Sequence, residues 1–233
     1  MILAAGRGSR LRPLTDTVPK PLVAVAGVPL IEWHLRNLAR AGVREVVVNL
    51  GWLGEKLRAA LGDGGRFGVV LRFSDEGWPA LDTGGALRQV RPLLGTQPFL
   101  LVNADVWTDA PFAQLVEVAH TLATNDLAHL VLVDNPPHNP QGDFGLEAGR
   151  IVADGTRLTF SGLSVQRPQV LDGCPVQGAF PLLPLWQRAL AAGRLAGSRY
   201  AGRWFDAGTP ERLAQADAEV RAAGLEPGAR ARR

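Results

Sequence analysis

The chain has 233 residues, 46% hydrophobic and 20% charged, the balance of a folded globular domain and not of a disordered or collagen-like chain. The net charge of +3 comes from the last four residues, Arg230-Ala231-Arg232-Arg233; the other 22 cations match the 22 acids, so the body is neutral and offers no nucleic-acid footprint. The single Cys174 excludes an intrachain disulfide, no run approaches 18 apolar residues, and nothing before Ala4 reads as a signal peptide. A cytoplasmic enzyme-sized domain over residues 1–227, with 228–233 as a basic frayed tail, is the expectation.

Met1 to Ala5 is a short apolar run that stops at Gly6, the pattern of a buried parallel strand. Gly6-Arg7-Gly8-Ser9-Arg10 follows, where two glycines allow a sharp turn and a close backbone approach to a ligand. Successive backbone N–H groups after a strand can cradle phosphate oxygens. Arg10, Arg12 and Lys20 add cations among Pro13, Pro19 and Pro21, a proline density that excludes a regular helix and predicts an irregular loop. Neither a P-loop nor a complete GxGxxG is present. A nucleoside triphosphate suits this loop, and a plain tight turn bearing solvated cations is the bland reading.

Further along, Pro29 opens a predicted helix through Ile31, Leu35 and Leu38 that ends at Gly42, and Arg44 to Leu50 is a β-branched strand. A helix through Leu53, Leu57 and Leu61, a strand from Phe67 to Phe73, and a helix capped by Thr83 come next. Phe99 to Val102 is an apolar strand ending in Asn103-Ala104-Asp105. Phe112 to Thr124 reads as helix and Leu127 to Val133 as strand. After Asn135, short strands at Arg150 to Val152 and Leu158 to Val165 predict a local antiparallel sheet. Helices from Leu185 to Ala192 and Pro210 to Ala223 close the chain. Alternating strands and helices predict an α/β fold with a mostly parallel, Rossmann-like sheet, whose ligands bind beyond the carboxyl ends of the strands. The elements divide into halves of about 1–110 and 111–227.

Asp105 and Asp206 each follow a short apolar strand. A carboxylate placed there is a Mg²⁺ ligand or a turn or helix-capping aspartate. Thr83-Gly84-Gly85 begins a helix whose N–H groups and small side chains admit a flat base, or it is a cap with packing glycines. The histidines at 34, 120, 129 and 138 lack ligand spacing. Trp52 and Trp78 are core or loop anchors, or border the pocket.

The stretches GRGSRLRP and PKPL, with NLGWLGEKL, TGGAL, LLVNADVWTD, GDFGL, TFSGLSV and WFDAGTPERL, resemble the sugar-1-phosphate nucleotidyltransferases over nearly the whole chain. They are most similar to the branch that joins UTP to N-acetylmuramic acid 1-phosphate in cell-wall recycling. The resemblance implies a GT-A-like fold with a nucleotide half over about 1–110 and a sugar and metal half over about 111–227; the family usually has two or three residues before the first strand, so this chain is expected to begin slightly short. It assigns catalysis to Arg10 and Lys20, with Arg10 on the triphosphate and Lys20 between the α-phosphate and the sugar phosphate. Nucleotide contacts fall on Ala4, Ala5, Gly6, Gly8, Ser9, Arg10, Lys20, Thr83, Gly84, Gly85 and Asn103. Sugar contacts fall on Gly142, Asp143, Gly145, Phe160, Ser161 and Gly162, and Asp105 and Asp206 hold Mg²⁺. Arg7 and Arg12 tune charge only. The partners implied are a nucleoside triphosphate and a sugar 1-phosphate, with neither nucleic acid nor membrane, and the protein is expected to be a monomer. Mannose 1-phosphate with GTP is the nearer alternative, and a non-catalytic nucleotide-sugar sensor the more distant one.

Overall fold

The computed structural model describes residues 1–225, so the basic tail at 228–233 lies outside the described residues. In chain order the elements are β1 (Ile2–Leu3), α1 (Leu14–Thr17), β2 (Ala24–Val25), β3 (Val28–Pro29), α2 (Leu30–Arg40), β4 (Glu45–Leu50), α3 (Gly54–Leu61), β5 (Val70–Asp75), α4 (Asp82–Leu94) and β6 (Phe99–Asn103). They continue as β7 (Val106–Thr108), α5 (Phe112–Thr121), β8 (Ala128–Val133), β9 (Phe144–Glu147), β10 (Arg150–Val152), β11 (Arg157–Gln166), α6 (Leu183–Ala191), β12 (Leu195–Arg199), β13 (Trp204–Asp206) and α7 (Pro210–Ala222). The chain forms two compact units. The first holds residues 1–80, 103–113 and 203–225, and the second holds 81–102 and 114–202.

The first unit carries β5, β4 and β1 in that order, all parallel, with Ile2 opposite Val48 and Glu45 to Leu50 opposite Val70 to Asp75. Helices α2 and α3 supply the two crossovers. β4 is a β-branched run with all but Glu45 buried, as expected of a strand covered on both faces. α2 buries Leu30, Ile31, Trp33, Leu35 and Leu38 at helical spacing. It ends where Gly42, at φ +91°, lets Val43 N–H donate to Leu38 O. A separate cluster of Val25, Leu30, Trp33, Trp107, Ala207, Ala216 and Val220 packs α7 and α2 under the antiparallel ribbon of β7 and β13. Trp107 anchors it, with its ring centroid 5.5 Å from that of Trp33 and 5.8 Å from that of Phe205.

His34 sits on the buried face of α2, with Nε2 2.8 Å from the Val106 carbonyl oxygen. Burial pushes its pKa from the ordinary 6.5 down to about 4, against the opposing pull of that carbonyl and the Asp105 charge. Between those values the unfolded chain binds more protons than the folded one, so stability rises with pH. The contribution is complete above pH 6.5 and is lost as pH falls toward 4. A loss on the order of 3 kcal/mol across that window is the expected result. Unfolding titrations of His34→Gln should lack this part of the slope; an unchanged slope would contradict the assignment.

In the second unit the strand order is β6, β11, β8, β12, β10, β9, and β11 also pairs with β9. Strands β8, β12, β10, β9 and β11 therefore form a closed ring of pairings. β11 runs antiparallel to both β6 and β8, and only β8 with β12 is parallel. The whole is the mixed α/β architecture flanked by helices that was expected, with the antiparallel part larger than the sequence pattern suggested. Three local readings change. The strand expected from Phe67 begins at Val70, because Gly64 and Gly68, both at positive φ, fold Gly65–Phe67 into one 3₁₀ turn. The proline-rich loop contains the single helical turn α1 and two 3₁₀ turns, Ser9–Leu11 and Lys20–Leu22, too short for prolines at their edges to break. Thr83 does not cap α4. Asp82, at φ +60°, opens the helix and its Oδ1 accepts the Thr83 N–H at 2.6 Å.

Candidate active site

The glycine-rich loop leaves β1 and is held by contacts its sequence dictates. Thr15, fully buried, donates its hydroxyl to the Gly8 carbonyl at 2.8 Å, and Trp52 Nε1 donates to Thr15 O at 2.8 Å. Gly6 faces open space, so its backbone is unobstructed. Gly8, at φ +66°, is pressed against the stem of Lys20: a Cβ there would lie 3.0 Å from Lys20 Cδ. The glycine is needed twice, for a left-handed backbone and for the passage of that side chain. Ala4 N–H donates to buried Asn49 Oδ1 at 2.7 Å, and Asn49 Nδ2 donates to Glu76 at 2.7 Å. Ala4 is thereby fixed by the fold, and Ala5 by accepting the Trp52 N–H. The sequence reading passed over Asn49; its signal was a carboxamide between Val48 and Leu50 in the buried part of β4, where a polar group must find partners.

Lys20 is not the solvated cation of the bland reading. Its residue is only 8% exposed, and Nζ lies 2.5 Å from Asp105 Oδ2. A buried ammonium needs such a counter-ion. By contrast Arg7 and Arg12 both pair with Asp16, at 3.7 and 2.8 Å, and Arg7 stacks over Trp52.

The β7–β13 ribbon brings the two acids together. Asp206 is directly opposite Val106, the residue after Asp105, and Ala207 N–H donates to Asp105 O at 3.0 Å. Ala104 N–H donates to Leu3 O at 3.0 Å, which places the Asn103-to-Asp105 turn beside the end of β1. Asp206 Oδ2 lies 3.5 Å from Arg212 Nη2. Gly208 marks where the charges converge. A Cβ on it would lie 2.6 Å from Asp206 Oδ1 and 3.1 Å from Arg10 Nη2, and would clash with Arg212 Nη2. Arg10, Lys20, Asn103, Asp105 and Asp206 are thus gathered in the first unit, with Arg212 as a member the sequence reading missed. Two adjacent carboxylates are the oxygen donors a hard divalent cation takes when phosphate oxygens complete its shell. Among the described residues no group of three or more His, Cys, Asp or Glu is arranged to hold a metal by itself. The pair therefore fits a cation that is held weakly by the protein alone and whose shell a polyphosphate completes.

Within the second unit, the start of α4 is occupied by its own chain. Gly84 and Gly85 N–H groups both donate to Phe180 O, at 2.9 and 3.1 Å, and Thr83 Oγ1 accepts the Leu182 N–H at 2.8 Å. Gly84 packs directly on the Phe180 ring, so its missing Cβ makes room for that side chain. The Gly84 and Gly85 N–H groups are thus satisfied within the chain. The Gly142-Asp143 turn, with Gly142 at φ +62°, is tied to β11: Asp143 Oδ2 accepts Phe160 N–H at 2.7 Å and Oδ1 accepts Asn139 Nδ2 at 3.1 Å. Gly145 has no room for a Cβ beside the Asp154 carbonyl. Phe160 packs on Trp186 with centroids 4.9 Å apart. Ser161 and Gly162, the latter at φ +82°, form a bulge where the β8 register is interrupted.

A Nucleotidyl transferase family model matches residues 1–154. Among curated proteins, the N-acetylmuramate alpha-1-phosphate uridylyltransferase of Neisseria meningitidis is 48% identical over 222 residues, 94% of this chain and 96% of that protein. The protein of the same name from Caulobacter vibrioides is 33% identical over 94% of this chain and 96% of its own length. Mannose-1-phosphate guanylyltransferase of Mycobacterium tuberculosis is 31% identical over 94% of this chain but 64% of its own. Among solved structures, a Bacillus anthracis protein described as a glucose-1-phosphate thymidylyltransferase superposes with a TM-score of 0.84 at 22% identity, covering 94% of each chain. That likeness shows the fold.

Proposed function

Because the chain belongs to the nucleotidyl transferase family, we propose that it transfers the uridylyl group of UTP to N-acetylmuramic acid α-1-phosphate, releasing pyrophosphate. The observation that carries the reading is buried Lys20 on Asp105, beside Asp206 and the Arg10 guanidinium, in one cluster under the glycine loop. An oxygen of the sugar phosphate attacks the α-phosphorus, the bond from that phosphorus to the α–β bridging oxygen breaks, and pyrophosphate leaves with those electrons. The attacking phosphate is already anionic, so no protein base is required. What the protein supplies is position and fixed positive charge. Lys20 neutralises the α-phosphate as charge shifts, and Arg10 with the loop N–H groups of Gly6 to Ser9 holds the β- and γ-phosphates. Asp105 and Asp206 would hold Mg²⁺, which when bound offsets phosphate charge. Asn103 takes a ribose or sugar hydroxyl. The roles expected of Gly142, Asp143, Gly145, Phe160, Ser161 and Gly162 with the sugar are kept as part of the proposal, and so is that of Thr83 to Gly85 with the base, though not through the Gly84 and Gly85 N–H groups, which Phe180 O already accepts. We place the enzyme in the cytoplasm as a monomer.

N-acetylmuramic acid carries a lactyl carboxylate that N-acetylglucosamine lacks. Arg150 is committed elsewhere: its guanidinium pairs with both oxygens of Asp126 at 2.8 Å and donates to Gly193 O. Arg157 donates to Asp143 O. With both guanidinium groups engaged, recognition of the lactyl group is assigned to the bulge at Gly162, through its backbone N–H. One charge-assisted hydrogen bond corresponds to at least about tenfold in kcat/KM for the muramic over the glucosamine phosphate. Equal values at fixed UTP and Mg²⁺ would leave the transfer chemistry intact and remove the muramate assignment.

A further inference from the structure

Arg212 stands in the first turn of α7, where Thr209 Oγ1 accepts its backbone N–H and fixes the side chain's point of departure. A cation at a helix N-terminus opposes the helix dipole, so its sign is wrong for helix stability. Its side chain is 17% exposed, and its Nε and Nη2 atoms are buried with no hydrogen-bond partner. Buried guanidinium donors left unmade are costly. Among the described residues, the acid within ion-pair distance of the guanidinium is Asp206, whose Oδ2 lies a long 3.5 Å from Nη2. Arg10 Nη2 approaches the same Gly208 backbone, so two guanidinium groups converge where one carboxylate is present. Lys20 stands to Asp105 as Arg212 stands to Asp206: each candidate metal acid has a resident cation.

We propose that Arg212 is a further substrate-binding residue, a counter-ion of Asp206 that releases the carboxylate to the incoming divalent cation and passes to an oxygen of the pyrophosphate moiety. Its orphaned Nε and Nη2 donors then meet two phosphate oxygens side by side, a match a guanidinium makes and an ammonium does not. Gly208 lacks a side chain because the exchange happens against its backbone. The proposal rests on the nucleotidyl-transfer reading and adds to it the residue that couples metal entry to polyphosphate entry.

Two binding measurements on the full chain carry opposite expected signs. Inorganic pyrophosphate, titrated calorimetrically with excess Mg²⁺, should bind Arg212→Met at least about tenfold more weakly than wild type, with Arg212→Lys intermediate. Mn²⁺ alone, followed by electron paramagnetic resonance without nucleotide, should bind Arg212→Met as tightly as wild type or severalfold tighter, because a competitor for Asp206 is gone. A parallel loss of Mn²⁺ and pyrophosphate binding would mean Arg212 only holds Asp206 in place, and unchanged pyrophosphate binding would mean it touches no phosphate; either overturns the inference and leaves the transfer reading standing. A wild-type protein that binds neither Mn²⁺ nor pyrophosphate would overturn both.

Discussion

Lys20→Ala is expected to lower turnover by roughly two to three orders of magnitude, the cost of removing one preorganised charge donor from a transition state. Lys20 enters this role already desolvated, its stem running past Gly8 and its ammonium on Asp105. A water-excluded cation stabilises developing phosphate charge more than a solvated one does. KM for UTP should change less than kcat, because in the proposed arrangement Arg10 and the loop N–H groups still hold the remaining phosphates. The variant also loses the counter-ion of Asp105. That side chain is 35% exposed, so water softens the loss, and a thermal-unfolding control separates it from catalysis. Turnover within threefold of wild type would remove Lys20 from the mechanism.

Asp105→Asn and Asp206→Asn are each expected to shift the Mg²⁺ concentration for half-maximal rate upward by at least about tenfold and to slow the saturated reaction by roughly two orders of magnitude. An amide keeps the size of the carboxylate and loses the charge that draws a hard cation. The two variants should differ in stability. Asp105→Asn leaves Lys20, at 8% exposure, with an uncharged partner, whereas Asp206→Asn relieves nothing and strands a guanidinium already poor in partners. Chelator-treated wild-type protein that turned over at full rate without added divalent metal would show both acids misassigned.

The parts legible in the sequence were those where one physical demand dominated. A β-branched run between two helical periods left little choice for β4, and a Gly-x-Gly after an apolar run placed the loop. The two acids stood out because each interrupted an apolar context. What stayed hidden was set by distant partners. Arg212 looks like any exposed charge in the first turn of a helix until β13 and β7 pair and bring Asp206 and Asp105 side by side. The glycines of α4 read equally as a helix start that admits a flat base or as packing glycines, and only the return of the chain at Phe180 shows what lies against them. β11 likewise reads as one short strand, Leu158 to Val165, of a local antiparallel sheet, and its pattern shows neither the bulge at Ser161–Gly162 nor that it runs Arg157–Gln166 between β6 and β8. Periodicity reports which face is buried; it does not report which strand lies alongside.

Transfer of a nucleotidyl group to a sugar 1-phosphate is tested most directly by coupled pyrophosphate release. Purified full-length protein, Mg²⁺, N-acetylmuramic acid α-1-phosphate and each of UTP, GTP, dTTP and ATP in turn should yield one pyrophosphate per nucleotide sugar, fastest with UTP. No pyrophosphate with any nucleotide, tested also against mannose and N-acetylglucosamine 1-phosphates, would contradict the account and leave a protein that binds nucleotide sugars without making them.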